Sequence, residues 1–282
     1  MRTGTEKESV PLCVTPMLDV EFAQLSDPGK VRDHNEDYLG HSAPSGEEQA
    51  RTHGWLFALA DGVGGHDRGE VASRVAIECV LQGFDKSTRN ESLNALLPRL
   101  VQSANSRVFE TGLTITRGGS NMATTIVACA LRYDRAVVSH AGDSRCYLVR
   151  QGYAAALTRD HTVSNEQLKM GVVTASEASR SQVAHVLSRS LGNNMFLSVD
   201  TSENQIFPGD VLLLCSDGLH NSVNSEDIGR IAGHGAALEN AARQLVDLAK
   251  QRDGSDNISV QLIRVRSVER VGMYRGRHYK LH

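Results

Sequence analysis

Long apolar runs are missing from this 282-residue chain; Val211–Cys215 is typical of the longest. A bilayer-spanning helix needs roughly 20 such residues, so none is expected. The opening MRTGTEKESVPL has glutamates and a lysine where a secretory segment needs an apolar stretch, so no export signal is expected either. The five cysteines, Cys13, Cys79, Cys129, Cys146 and Cys215, contain no C-x-x-C pair. An odd number without that spacing argues against a disulfide framework and suits a reducing compartment. Charge of one sign is lacking too: 30 Lys and Arg face 33 Asp and Glu, a net −3. No global field would draw the chain to nucleic acid or to an anionic membrane. Fixed-period repeats and Pro/Gly/Ser-rich linkers are also absent. These absences leave a soluble, cytoplasmic globular protein.

What is present is mostly strand. Phe57–Ala60, Thr124–Leu131, Ala136–His140, Cys146–Val149, Val211–Cys215 and Ile258–Val265 are short, β-branched or leucine-rich, and bounded by Gly, Asp and Asn. Helices are fewer. Leu93, Leu96, Leu97, Leu100, Val101, Ala104 and Val108 share one helical face, and Pro98 predicts a kink there or a start at that residue. Val71, Val75 and Cys79 mark a second helix, and Leu238, Ala241, Ala242, Leu245 and Leu248 a third. Strands with helices between them predict a layered α+β domain. The expected organisation is an N-terminal extension over 1–17, one domain over 18–266 and a basic tail over 267–282, where Arg270, Arg275, Arg277 and Lys280 face Glu269.

The chemistry lies in where the carboxylates fall. Asp61 follows the strand Phe57–Ala60 and precedes Gly62-Val63-Gly64-Gly65. Asp217 follows Val211–Cys215, and Asp256 precedes Ile258–Val265. Glu36 and Asp37 end the polar run Arg32-Asp33-His34-Asn35-Glu36-Asp37. A strand end holds a carboxylate stiffly while leaving its head free to converge with others. Converged carboxylates repel unless a cation compensates them, and oxygen-only donors select hard ions such as Mg²⁺ or Mn²⁺. Gly62 would let the backbone approach closely. An Asp beside a Gly is more often a turn residue, so the weight rests on the set and not on one member.

The ordered motifs carry a resemblance. They are Ser26-Asp27-Pro28-Gly29-Lys30-Val31-Arg32-Asp33-His34-Asn35-Glu36-Asp37, Asp61-Gly62-Val63-Gly64-Gly65-His66, Ala123-Thr124-Thr125, Gly142-Asp143-Ser144-Arg145, Leu157-Thr158-Arg159-Asp160-His161-Thr162, Leu187–Gly192, Cys215-Ser216-Asp217-Gly218-Leu219 and Ser255–Val260. Together the chain resembles the metal-dependent protein phosphatases of the protein phosphatase 2C family in their compact bacterial form. The resemblance implies a four-layer α/β/β/α sandwich of two antiparallel sheets flanked by helices, with a metal centre at one end. By similarity, Asp61 bridges two Mn²⁺ or Mg²⁺ ions, the Gly62 carbonyl binds one, and Asp217 and Asp256 complete the other. Glu36 would bind metal, Asp37 would hold metal-bound water, Asp143 would serve a weaker third ion, and Arg32 would grip phosphate. The implied reaction is direct attack of a water bridging the two ions on phosphoserine or phosphothreonine in proteins. Phosphorylated proteins, among them a serine/threonine kinase and its targets, are the implied partners of a monomer that binds neither nucleic acid nor membrane.

Three points stay open at this level. Val63 stands where animal members place a histidine proposed as the general acid, and His161 and His34 are alternatives by motif. The stretch Thr162–Arg189 matches a flap, with Leu168, Gly171, Val173, Thr174 and Glu177 at familiar spacing, that would tune substrate choice. The alternative reading is a catalytically silent, phosphatase-like binding module. A decoy, Cys129 to Arg135, has the C-x5-R spacing of cysteine-dependent phosphatases but no glycine for a phosphate-wrapping loop.

Overall fold

The computed structural model describes residues 17–63, 68–115, 122–274 and 277–280, except positions 182, 184, 234 and 236. The expected extension over 1–16 with Cys13, and the Gly64-Gly65-His66 part of the glycine-rich segment, lie outside the described residues. In chain order the first strands are β1 (Asp19–Asp27), β2 (Asp37–Ser42), β3 (Trp55–Val63), β4 (Ala123–Thr124), β5 (Ile126–Arg132) and β6 (Arg135–Ala141). They continue as β7 (Arg145–Arg150), β8 (Tyr153–Ala156), β9 (Asp200–Gln205), β10 (Val211–Cys215), β11 (Ile258–Ser267), β12 (Val271–Tyr274) and β13 (Arg277–Lys280). The helices are α1 (Glu47–Thr52), α2 (Gly69–Asp85), α3 (Leu93–Ile115), α4 (Val163–Lys169), α5 (Ala175–Ser179), α6 (Asp217–His220), α7 (Ser225–Ala232) and α8 (Leu238–Arg252).

Two antiparallel sheets stack face to face. One has the order β1-β11-β10-β7-β8, and the other β2-β3-β5-β6-β9 with β4 on β3. Because both faces of the central strands are covered, their sequences run apolar without interruption, yet period 2 still sorts the side chains. Leu56, Ala58 and Ala60 pack under α2 and α3, whereas Phe57 and Leu59 point into the space between the sheets. On the opposite sheet Leu213, Val260 and Leu262 pack under α7 and α8, whereas Leu212, Leu214 and Ile263 meet Phe57 and Leu59. Three apolar interfaces therefore separate four layers, helix, sheet, sheet, helix, as the resemblance implies.

The helices refine the expectations. All seven predicted apolar positions of α3 are buried, but the helix starts at Leu93, before Pro98, so the alternative of a start at the proline is corrected. On α2 the innermost side chains are Ala72, Ala76, Ile77 and Val80, while Val71, Val75 and Cys79 only flank that stripe. Small residues face inward here because the helix lies close over the sheet. Beyond β11, Glu269 is buried and paired with Arg51 Nε at 2.9 Å, and β12 and β13 pair as a separate hairpin. Among the described residues no helix is long and apolar enough to cross a membrane.

Candidate metal centre

The alternation that builds the inter-sheet core also builds the site. On β3 the inter-sheet face reads Phe57, Leu59 and then Asp61. Asp37 is the register partner of Asp61 on β2, so the two carboxylates share that face. One step beyond β5, whose Val127 and Cys129 point inward, comes Thr125; its Oγ1 accepts from Asp61 N at 3.0 Å and bonds Ser144 Oγ at 2.7 Å. From the opposite sheet, Leu212 and Leu214 are followed by Ser216, whose Oγ donates to Asp37 Oδ2 at 2.8 Å. Ser259 lies on the same face of β11 as Ile263, and its N–H donates to Ser216 Oγ at 3.0 Å. At this end of the sandwich β2, β3, β5, β10 and β11 exchange the inward apolar residue for a hydroxyl or a carboxylate.

Loops bring the remaining groups. Asp217 opens α6 directly after Ser216. Asp256 sits in the turn before β11, where Asn257 acts as a fastener: its Oδ1 accepts from Glu36 N at 2.8 Å, and its Nδ2 donates to Pro28 O and His34 O, each at 3.0 Å. The segment 28–36 is thereby fixed against β11, and Arg32 Nη2 reaches Asp256 Oδ2 at 2.8 Å. Arg32 stays half exposed, so its guanidinium is offered to solvent above the cluster. Close backbone approach holds Glu36 and Asp61 side by side. Gly62 N donates to Glu36 O at 3.1 Å. A Cβ on Gly62 would lie 2.5 Å from the Gly69 carbonyl, and one on Gly69 would lie 2.7 Å from the Glu36 carboxyl carbon. Glycine at 62 is therefore a steric requirement, because the clash is with backbone, whereas a side chain at 69 would displace the Glu36 carboxylate.

Arg32, Glu36, Asp37, Asp61, Gly62, Asp143, Asp217 and Asp256 all meet here, and the carboxylates act on one another. Burial raises the Asp61 carboxyl well above its ordinary range, and the charges of Asp37, Asp217, Asp143 and Asp256 raise it further. Asp37 is pushed up to about 7, by burial first and then, against hydrogen bonds from Ser259 and Ser216, by Asp217 and Asp256. Asp143 is also pushed up to about 7 by burial and by Asp217. Burial raises Asp217 above its ordinary range, and the charge of Asp256 raises it further. Asp37 Oδ1 is buried and has no hydrogen-bond partner among the described residues. Crowded, desolvated, acceptor-only oxygens with an orphan among them are what a hard divalent cation would satisfy. The donor set fits Mg²⁺ or Mn²⁺.

Thr124, Thr125, Ser144, Ser216, Asn257 and Ser259 stand in the ordered motifs but received no role from the sequence; in the structure they brace the segments that carry the carboxylates. Their signal was available: each of Thr125, Ser216 and Ser259 continues the parity of an inward apolar residue on its strand. His161 is corrected as a proton donor at the site, because its ring is committed elsewhere. Its Nδ1 accepts from Gly142 N at 3.2 Å, and its Nε2 faces Asp200 Oδ2 at 3.1 Å. His140, His161 and Asp200 form a second cluster of metal-type donors. The Arg189 guanidinium already supplies the cation there, bonding Asp200 at 2.8 Å and Glu166 at 3.2 Å. Cys129 is fully buried between the sheets, which removes the C-x5-R reading. In the flap, Thr174 and Glu177 form a capping box at the start of α5, which accounts for their spacing.

Comparison with known proteins agrees with this geometry. Residues 24–258 match the family model described as protein phosphatase 2C. The chain is 32% identical over 246 residues to a putative protein phosphatase 2C-type of Streptococcus pyogenes, covering 86% of this chain and 97% of that protein. It is 31% identical to the serine/threonine phosphatase stp of Listeria innocua, covering 89% and 96% of the two chains. The crystal structure of the Mycobacterium tuberculosis serine/threonine phosphatase PstP/Ppp superposes with a TM-score of 0.76 at 30% identity, over 89% of this chain and 100% of that one. The PstP catalytic domain in complex with two manganese ions gives a TM-score of 0.74 at 31% identity, over 89% and 100%.

Proposed function

The chain belongs to the protein phosphatase 2C family and is a metal-dependent serine/threonine protein phosphatase; on that premise we propose that Asp61, the Gly62 carbonyl, Asp217, Asp256 and Glu36 hold two Mn²⁺ or Mg²⁺ ions, with Asp143 serving a weaker third. The observation that carries this reading is the mutual repulsion of buried carboxylates around the partnerless Asp37 Oδ1. Bound there, divalent cations would acidify a water and neutralise charge on the phosphoryl group. Asp37 Oδ1 is the free acceptor that would orient the attacking water, while Ser216 fixes the other carboxylate oxygen. Arg32 would exchange its single bond to Asp256 for the phosphate oxygens, which its planar fork matches in pairs. The site stands at the rim of the sandwich, open to a phosphoserine or phosphothreonine presented on a protein, including an opposing kinase.

The test is release of phosphate from p-nitrophenyl phosphate and from a phosphothreonine peptide with Mn²⁺, with and without chelator. Turnover that the chelator abolishes is expected; metal-independent turnover, or none with any divalent ion, would overturn the reading. Arg32→Ala is expected to raise KM for the phosphopeptide by about tenfold or more, the loss of a charged hydrogen-bonding partner, with a smaller effect on kcat. A pure kcat effect would assign Arg32 another role.

A further inference from the structure

At the edge of the sandwich β1 makes the same exchange as the strands beside it. Its inter-sheet face reads Val20, Phe22, Gln24 and then Ser26. Ser26 is the register partner of Ser259 on β11, so the two hydroxyls share that face, and their oxygens stand 2.7 Å apart. Ser259 is fully buried, whereas Ser26 is exposed.

Hydrogen bonds join these groups into a ring that starts and ends on Asp37, and their sense is fixed. Asp37 N–H can only donate, so the Asn35 atom it meets at 3.1 Å is Oδ1. The other end of that amide, Nδ2, then donates to Ser26 Oγ at 2.7 Å. Ser259 Oγ donates to the Asp37 carboxylate, which only accepts. Each serine has one hydroxyl proton, so Ser26 gives its own to Ser259. Every donor therefore points the same way round, an arrangement in which each bond polarises the next. Ser216 stands outside the ring and acts on the same carboxylate. It accepts from Ser259 N at 3.0 Å and donates to Asp37 Oδ2 at 2.8 Å.

The ring does what Ser216 alone cannot. The terminal torsion of an aspartate is broad and soft, so one hydrogen bond to Oδ2 leaves the carboxylate free to turn about it. A second donor on the carboxylate, with Asn35 holding the backbone N–H of the same residue, restrains that turn from both ends.

We propose that Asn35, Ser26 and Ser259 are positioning residues that hold the plane of the Asp37 carboxylate so that Oδ1 meets the attacking water. The proposal rests on the phosphatase reading and extends the site to β1, which supplies no group that touches water or phosphate. Among the described residues the partners of the Ser26 hydroxyl are Ser259 and Asn35, so it acts on Asp37 only through the ring.

The exposed end of the ring gives the test, because removing an exposed hydroxyl ordinarily changes stability little. Ser26→Ala is made in the whole chain and assayed with Mn²⁺ on a phosphothreonine peptide. Its kcat is expected to fall about tenfold with KM within about twofold, since the change loosens the hold on water and spares the grip on phosphate. Ser26→Thr keeps the hydroxyl and is expected to recover most of the rate. Calorimetric titration of Mn²⁺ is expected to show the same number of ions and the same affinity in both variants and the unaltered chain. In an Asp37→Ala background, where the ring has lost its end, Ser26→Ala is expected to cost less than about twofold more. An unchanged kcat in Ser26→Ala, no recovery with Thr, a parallel loss of Mn²⁺ affinity, or an undiminished further loss in the Asp37→Ala background would overturn the ring and leave the phosphatase reading intact. Absence of phosphate release by the unaltered protein with any divalent ion would overturn both.

Discussion

Asp61→Asn is expected to leave a folded protein that hydrolyses phosphopeptide on the order of 10³-fold more slowly, and in metal-free buffer to make that protein more stable than the unaltered one. The rate falls because Asp61 lies in the middle of the cluster, and losing its charge removes several kcal/mol of charge stabilisation at the reacting phosphoryl group. Stability rises because the same carboxyl is buried against Asp37, Asp217, Asp143 and Asp256. The gain is about 1–2 kcal/mol, or a few degrees in Tm. Its pH dependence has a definite sign. A carboxyl raised in the folded state keeps its proton where the unfolded chain, near 3.8, has lost it, so its destabilising effect grows as pH rises. The stability difference between variant and unaltered protein should therefore shrink from pH 7.5 to pH 5. The buried histidines, lowered by desolvation and titrating in the opposite sense, are common to both proteins and cancel. Thermal melts at the two pH values check this; a variant that is less stable without metal, or that turns over normally, would contradict it.

Asn257→Ala is expected to cost about 2–4 kcal/mol and much of the activity, although no metal or substrate role falls to its side chain. Three hydrogen bonds end on that amide, to Glu36 N, Pro28 O and His34 O. Each is worth about 1 kcal/mol net, and leaving the partners unmet costs more. The same bonds position the segment that carries Arg32 and Glu36, so KM and kcat should both worsen. Urea unfolding should show a lower midpoint with an unchanged slope. Asn257→Asp, which keeps the acceptor for Glu36 N and loses both donors, should fall between the two. A change below about 0.5 kcal/mol would show that the segment is held by other contacts.

These two positions mark what was and was not legible in the amino-acid sequence. Asp61 was legible because a strand that runs Phe57-Ala58-Leu59-Ala60 and then breaks to Asp-Gly has an evident end, and the same holds for Asp217 and Asp256. A layered α+β domain followed from the short apolar strands and the α3 stripe, and the four layers from the resemblance carried by the ordered motifs. Asn257 was not legible, since its partners are about 220 positions away and two of its three bonds go to backbone carbonyls, which leave no pattern in side-chain order. Pro98 misled for a local reason: it sits near the start of α3, where the burial of Leu96, Leu97, Leu100 and Val101 against the sheet outweighs one missing donor.

The account depends on one claim, that the end of the inter-sheet core is a cation site built from Asp61 and its neighbours. Calorimetric titration of Mn²⁺ into the metal-stripped protein and into Asp61→Asn at pH 7.5 tests it without reference to turnover. The account predicts at least two ions bound by the unaltered chain, with proton release as the crowded carboxylates ionise, and loss of that binding in the variant. Equal Mn²⁺ binding by the two proteins would contradict it.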